Sequence, residues 1–262
     1  MRSMLAAFAL AATALTPVAA NAADMVALTA DNRLVAFNTD SRRAAAPVTI
    51  RGTDGAVVGI DVRPANGMLY ALTTSSKLYT VDARTGQATL VATLDKPWDG
   101  GGRTVVDFNP AADRLRVMGM NGNSFRINVE TGAAAVDGSL KYDPASPLAG
   151  STPRVTAAAY RNNVAGTQAT ALYTIDTLAQ SYNLQAPPND GVQKPVARLD
   201  ASLPPATGFD IETNGETNTG WILAGGVLSG IDVATGALRQ VGPVANLPAG
   251  VEITDIAVLP RR

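Results

Sequence analysis

The chain is predicted to be an all-β propeller of five four-stranded blades, its ring closed by joining the two chain ends in one blade. Three observations predict this. A block of sequence recurs at an offset of 46 residues, within the 40–50-residue range typical of propeller blades. Apolar and β-branched residues alternate in short runs between turn signals, as half-buried strands require. The last such run stands alone, while the N-terminus carries strands that lack a first partner.

The recurrence is carried by particular residues. Gly59-Ile60-Asp61-Val62-Arg63-Pro64 returns as Val105-Val106-Asp107-Phe108-Asn109-Pro110, and the same offset carries Leu69 to Leu115, Asp82 to Asn128, Thr85 to Thr131 and Gly86 to Gly132. Each unit reads as a first strand ending in Asp-x-x-Pro, then Leu69-Tyr70-Ala71-Leu72, then Lys77-Leu78-Tyr79-Thr80-Val81, then 88–94. Between the third and fourth strands stands Asp82-Ala83-Arg84-Thr85-Gly86. There an Asp side chain can accept from the turn's own backbone while Gly takes a positive φ. This corner returns as Asn128-Val129-Glu130-Thr131-Gly132 and as Asp232-Val233-Ala234-Thr235-Gly236, and Asn121-Gly122 marks a tight hairpin in the second unit.

A third unit runs from Val155 through Ala171-Leu172-Tyr173-Thr174-Ile175 to Leu199, with Pro187-Pro188-Asn189-Asp190-Gly191 where the Thr-Gly corner would stand. A fourth begins at Gly208-Phe209-Asp210 and ends near Val241. Ile253-Thr254-Asp255-Ile256-Ala257-Val258 is a first strand with nothing after it, and residues 27–38 supply the missing strands at an offset of 44 from the first complete unit. First strands at Asp61, Asp107, Ala158, Asp210 and Asp255 give the count of five. Lys141 to Pro153 and Asn162 to Thr170 are the divergent stretches where that count is most exposed. Closure through both ends would leave no open sheet edge around the ring.

Ahead of this repeat, Met1 and Arg2 precede an apolar run from Met4 to Leu15 and the small-residue site Ala20-Asn21-Ala22. That is the layout of a cleaved secretory signal peptide, and the run is short of the roughly 20 residues a spanning helix needs. Residues 1–22 are therefore expected to be removed after Ala22, leaving residues 23–262 as a single propeller in the periplasm or outside the cell, with no transmembrane segment. The chain has no cysteine and no histidine. Disulfides, thiolate nucleophiles, Ser-His-Asp chemistry and histidine-based metal centres are thereby excluded. A formal charge of −1 without any basic run excludes nucleic acid as an expected partner.

Several segments together carry a family resemblance. Asp107-Phe108-Asn109-Pro110, Asp113-Arg114-Leu115-Arg116-Val117 and Phe125-Arg126-Ile127-Asn128-Val129-Glu130-Thr131-Gly132 resemble the exported bacterial proteins grouped as domain of unknown function 4394. The similarity continues through Ala159-Tyr160, Leu172-Tyr173-Thr174-Ile175-Asp176, Gln185-Ala186-Pro187-Pro188-Asn189-Asp190-Gly191 and Gly208-Phe209-Asp210-Ile211. The resemblance implies a propeller-like repeat domain outside the cytoplasm. It implies no activity and no catalytic or binding residue.

Candidate site residues are few. Asp61, Asp107, Asp210 and Asp255 share one position of the first strands, which line a propeller's channel. The favoured expectation is that each bonds backbone N–H groups of a neighbouring blade; the alternatives are a channel cation such as calcium held by the four carboxylates, or a polar ligand site. Arg116 and Arg126 sit on adjoining strands, with salt bridges to Asp107, Asp113 or Glu130 expected ahead of an anion site. Trp98, opening Trp98-Asp99-Gly100-Gly101-Gly102-Arg103, could close over a ligand, although a flexible connection accounts for three glycines as well. The function expected first is a non-catalytic module that binds a protein, glycan or small ligand, and a monomer is expected. The alternative is a calcium-type, carboxylate-ligated propeller hydrolase, against which the lack of histidine and of any nucleophile–base pair weighs. A quinone-dependent redox propeller would want more tryptophans than Trp98 and Trp221.

Overall fold

The computed structural model describes residues 22–200 and 202–261. The proposed signal peptide up to Asn21 lies outside the described residues. Blade one opens with β1 (Asp24–Thr29), β2 (Arg33–Asn38) and the two-residue β3 (Val48–Thr49). Blade two is β4 (Val57–Arg63), β5 (Met68–Thr73), β6 (Lys77–Val81) and β7 (Ala88–Thr93). Blade three is β8 (Thr104–Asn109), β9 (Arg114–Gly119), β10 (Ser124–Ile127) and β11 (Ala134–Val136). After the short β12 (Lys141–Tyr142), blade four is β13 (Val155–Tyr160), β14 (Leu172–Asp176), β15 (Ser181–Gln185) and β16 (Val192–Arg198). Blade five is β17 (Thr207–Asn214), β18 (Thr217–Ala224), β19 (Val227–Asp232) and β20 (Leu238–Pro243).

The final strand β21 (Ile253–Val258) lies antiparallel against β1 as the inner strand of blade one, with Ala27 opposite Ile256 and Leu28 opposite Asp255. Five sheets therefore form the ring, joined through the two ends of the chain. The first strands β4, β8, β13, β17 and β21 pack side by side around the axis in that order. One divergent stretch behaves differently from a blade: β12 runs parallel to β16, pairing Lys141 with Val192 and Tyr142 with Gln193, so blade four has five strands.

Turn chemistry explains the corners. The Asp82 carboxylate accepts from the Arg84 and Thr85 N–H groups, and Asp232 accepts from those of Ala234 and Thr235. Gly86 and Gly132 take φ of 73° and 76°. A Cβ there would lie 2.1 and 2.0 Å from the Thr49 and Thr93 carbonyl oxygens of the preceding blades, so only glycine lets each corner seat on its neighbour. The core is a set of wedges between blades. Leu28 and Leu34 of blade one meet Val62 and Leu69 of blade two, and Tyr70 and Leu72 meet Phe108 and Val117 of blade three. Alternation within each strand sends one set of side chains into each wedge, which is why nearly every first-strand residue is buried.

Candidate functional site

The register confirms that the channel positions are equivalent. Asp61 lies opposite Tyr70, Asp107 opposite Arg116, Ala158 opposite Thr174 and Asp210 opposite Trp221, each on the inner strand of its blade. All four aspartates are buried. Each carboxylate accepts from the backbone of the next inner strand around the ring: Asp61 from Phe108 N–H (2.6 Å), Asp107 from Tyr160 N–H (2.8 Å), Asp210 from Val258 N–H (2.6 Å) and Asp255 from Ile60 N–H (3.0 Å). Asp61, Asp210 and Asp255 also accept from the N–H of the residue that follows them. The β13-to-β17 step lacks this bond because Ala158 has no acceptor. The aspartates are thus a circular latch with one link missing.

The latch concentrates negative charge. One oxygen from each of Asp61, Asp107 and Asp210 lies within 4.8 Å of the others, close enough for the three to share a cation. Burial, then the charges of Asp210 and Asp255, push Asp61 well above the usual carboxylate range. Asp107 is raised by burial and by Asp61, Asp210 and Asp255. Burial lifts Asp210 to about 6, with the Glu212 charge adding to it, and lifts Asp255 to about 8 against the opposing pull of Arg103 and of two backbone N–H bonds. Arg103, just ahead of β8, spans the channel mouth and donates to the carbonyl oxygens of Thr207 and Thr254. Burial lowers its pKa, while Asp255 and Glu252 favour the charge.

Arg116 and Arg126 share one carboxylate. Arg116, 1% exposed, donates to Asp137 (2.5 Å), Ser124 (3.0 Å), Asn189 (2.8 Å) and the Tyr160 hydroxyl (3.3 Å). Arg126 donates to the same carboxylate at 2.8–3.0 Å. The partner is Asp137, not the expected Asp107, Asp113 or Glu130: Asp107 is taken up by Tyr160 N–H, while Asp113 and Glu130 both hold Arg63 from blade two. The repeat gives no sign of Asp137, since the offset of 46 places Val91 at its counterpart. Asn189 belongs to the proline-rich corner, so two signature segments meet at Arg116 and tie blade three to blade four. Blade four is polar inside as well: Thr174 donates to Gln193 (2.5 Å), which donates to Gln185 (2.7 Å), while the Tyr142 hydroxyl donates to Asp176 (2.5 Å).

Trp98 is a core residue. It is buried, its indole N–H donates to the Thr104 hydroxyl (2.9 Å), and its ring meets Phe125 edge-on at 5.0 Å. The glycine loop beside it is held by packing: a Cβ on Gly119 would sit 2.5 Å from the Gly100 Cα, and Asn121 and Asn123 both donate to the Asp99 carbonyl. These contacts tie the loop to the turn between β9 and β10.

Open space lies elsewhere, on the face where the first strands end and the Thr-Gly corners turn. A groove of about 720 Å³ between blades one and two is lined by Met25, Phe37 and Leu259, with Arg43 and Arg84 exposed along it. A pocket of about 250 Å³ at the channel's end is lined by Val62, Asn163, Glu212, Val258, Leu259 and Arg261. The 259–261 segment borders both. The repeat marks Val62 and Val258 as first-strand positions but not Glu212 or the 259–261 segment, because the pocket is assembled from the ends of β4, β17 and β21 and one long loop.

Among solved structures, a structural genomics protein of unknown function from Bacteroides thetaiotaomicron VPI-5482 is similar, with a TM-score of 0.54 and 18% identity over 92% of this chain. The chain spans 66% of that protein's length, and the likeness shows the fold alone. A structure described as YCF48 bound to D1 peptide is similar at a TM-score of 0.41 and 11% identity, covering 82% of this chain and 62% of the other. No curated protein matches the chain. The family described as Domain of unknown function (DUF4394) matches residues 33–257, from β2 into β21 and so through every blade, and the chain belongs to that family.

Proposed function

We propose that the chain works outside the cytoplasm as a non-catalytic binding propeller that takes its ligand on the face bearing the 720 Å³ groove. The observation that carries this reading is where exposed polar groups and open volume coincide. The channel carboxylates accept from neighbouring backbones, whereas the groove sets Leu259 and Ala83 beside exposed Arg43, Arg84, Asp24 and Asp82, an apolar surface with a few charged groups of both signs as in many ligand sites. Export rests on the N-terminal sequence. A calcium-dependent hydrolase would draw on the Asp61–Asp107–Asp210 oxygens for metal, and there the metal would share them with five backbone N–H donors.

A thermal-shift panel of sugars, peptides, amines and carboxylates tests the reading, run on the chain from Ala23 and on Ala83→Arg, which places bulk in the groove. A ligand at about 100 times its Kd should add about 2.7 kcal/mol of stability to the parent and far less to the variant. Hits that stabilise both proteins equally would refute the assigned face. Conversion of a hit to product with calcium present, lost with chelator, would favour the hydrolase.

A further inference from the structure

The smaller pocket is built differently from the groove beside it. Its polar feature is the Glu212 carboxylate, 8% exposed, which accepts from the Trp221 indole N–H (3.3 Å) and from the Arg261 guanidinium (2.5 Å). Asp210 lies two residues earlier on β17 and so faces the same side of the strand, placing a second carboxyl deeper in the channel. Asn163 is among the residues around this cavity, and its buried Oδ1 has no partner among the described residues. The remaining wall is mostly aliphatic, with Val62, Val258 and Leu259, and Thr213 is its other polar residue. Two acceptors at the end of an apolar cleft suit a cation on an aliphatic stem, because desolvating a carboxylate is costly unless an ionic donor meets it.

The pocket already holds such a group. Arg261 is 48% exposed, comes from the segment after β21 and reaches Glu212 from the solvent side. An ion pair with one exposed partner is held weakly. We propose that this pocket is a binding site for a guanidinium or primary ammonium group on a short aliphatic stem, with Glu212 as counter-ion, Asn163 as second polar contact and Arg261 as a built-in competitor. This rests on the binding-face reading and names the ligand class for one of its cavities. A free alkylamine and an arginine or lysine side chain of a peptide present the same chemistry.

The protein contains two tryptophans, which makes a direct assay available. In ¹⁵N-labelled protein the Trp221 indole N–H reports on Glu212, while that of Trp98, bonded to Thr104, is the internal control for folding. Titration with butylguanidinium should shift the Trp221 signal saturably and leave the Trp98 signal in place, and neutral butylurea should do neither. Arg261→Ala should bind about tenfold tighter, the factor expected if the tail occupies Glu212 about nine-tenths of the time. Glu212→Gln should lose the response. Short peptides with an internal arginine, compared with butylguanidinium, tell whether the group is taken from a chain or from a free amine.

A silent Trp221 signal in both wild type and Arg261→Ala, with Trp98 unchanged, overturns the inference, as does an equal response to butylurea. Should either variant lose the Trp98 signal, the wild-type titration alone decides: no saturable shift refutes the site. A sugar or carboxylate hit abolished by Ala83→Arg, with Trp221 silent to guanidinium, would remove this site while leaving the binding face intact.

Discussion

Raising the pH from about 4 towards neutrality should weaken this fold, and Asp210 shows by how much. Its folded-state pKa is lifted by burial to about 6 from an ordinary 3.8, so the folded protein holds that proton more tightly than the unfolded chain. Stability from this group is complete below about pH 4 and is lost as pH rises through about 6. The integrated loss is about 3 kcal/mol, at 1.36 kcal/mol per tenfold change in proton affinity. For a domain of this size that is a fall in Tm of about 6–12 °C. Asp255, lifted to about 8, extends the decline in the same direction to higher pH.

Thermal or urea unfolding from about pH 4.5 to 8.5, in chelator, measures the decline, and Asp210→Asn isolates its source. The amide cannot accept both the Ile211 and Val258 N–H bonds, so below pH 5 the variant should be less stable by about 1–3 kcal/mol. It carries no charge to desolvate, so its profile should be flatter and should cross that of wild type near neutrality. Stability that rises from pH 4.5 to 8.5, or two parallel curves, would refute the argument. Loss of stability on adding chelator at pH 8, restored by calcium, would show that a cation neutralises Asp61, Asp107 and Asp210 and would replace the latch account of their charge.

Three further outcomes are expected. Deleting 253–262 should unfold the whole domain, as judged by circular dichroism, because β21 pairs with β1 and both gives and receives aspartate bonds around the ring; a truncated protein with unchanged Tm would sink the closure argument. Arg116→Ala should cost about 1–3 kcal/mol by leaving the buried Ser124 and Asp137 oxygens short of a donor, whereas Arg126→Ala, whose side chain is 37% exposed, should cost about 1 kcal/mol or less; equal losses in denaturant melts would contradict the assignment of Arg116 as the buried member. N-terminal sequencing of exported protein should begin at Ala23, and an intact Met1 in the membrane fraction would overturn the localisation.

The parts of this protein legible from its sequence are those whose physics is local or repeated. Asp82 with Gly86, and Asn128 with Gly132, announce their corners because a turn's acceptor and its positive-φ residue lie within five positions of each other. The solitary first strand at Ile253–Val258 and the orphan strands at residues 27–38 identify the closing blade because each lacks the partners that the other units supply within one stretch of chain. Even the aspartate latch was legible as a position, since four of five first strands carry it, and its missing link could be read from Ala158.

What the tertiary structure alone decided lies between blades. Arg116 finds Asp137 and Asn189, 21 and 73 residues away, and Asp255 finds Ile60 across 195 residues. Trp98 turns inward because Phe125 and Thr104 are there to receive it, where sequence alone left it equally able to face solvent. The pocket that joins Asn163, Glu212 and Arg261 draws on segments from four blades. Strand alternation says which residues share a face of one sheet, but the partner across a wedge is set by how far each sheet is rotated and shifted when the ring closes, a quantity to which no single blade's sequence refers.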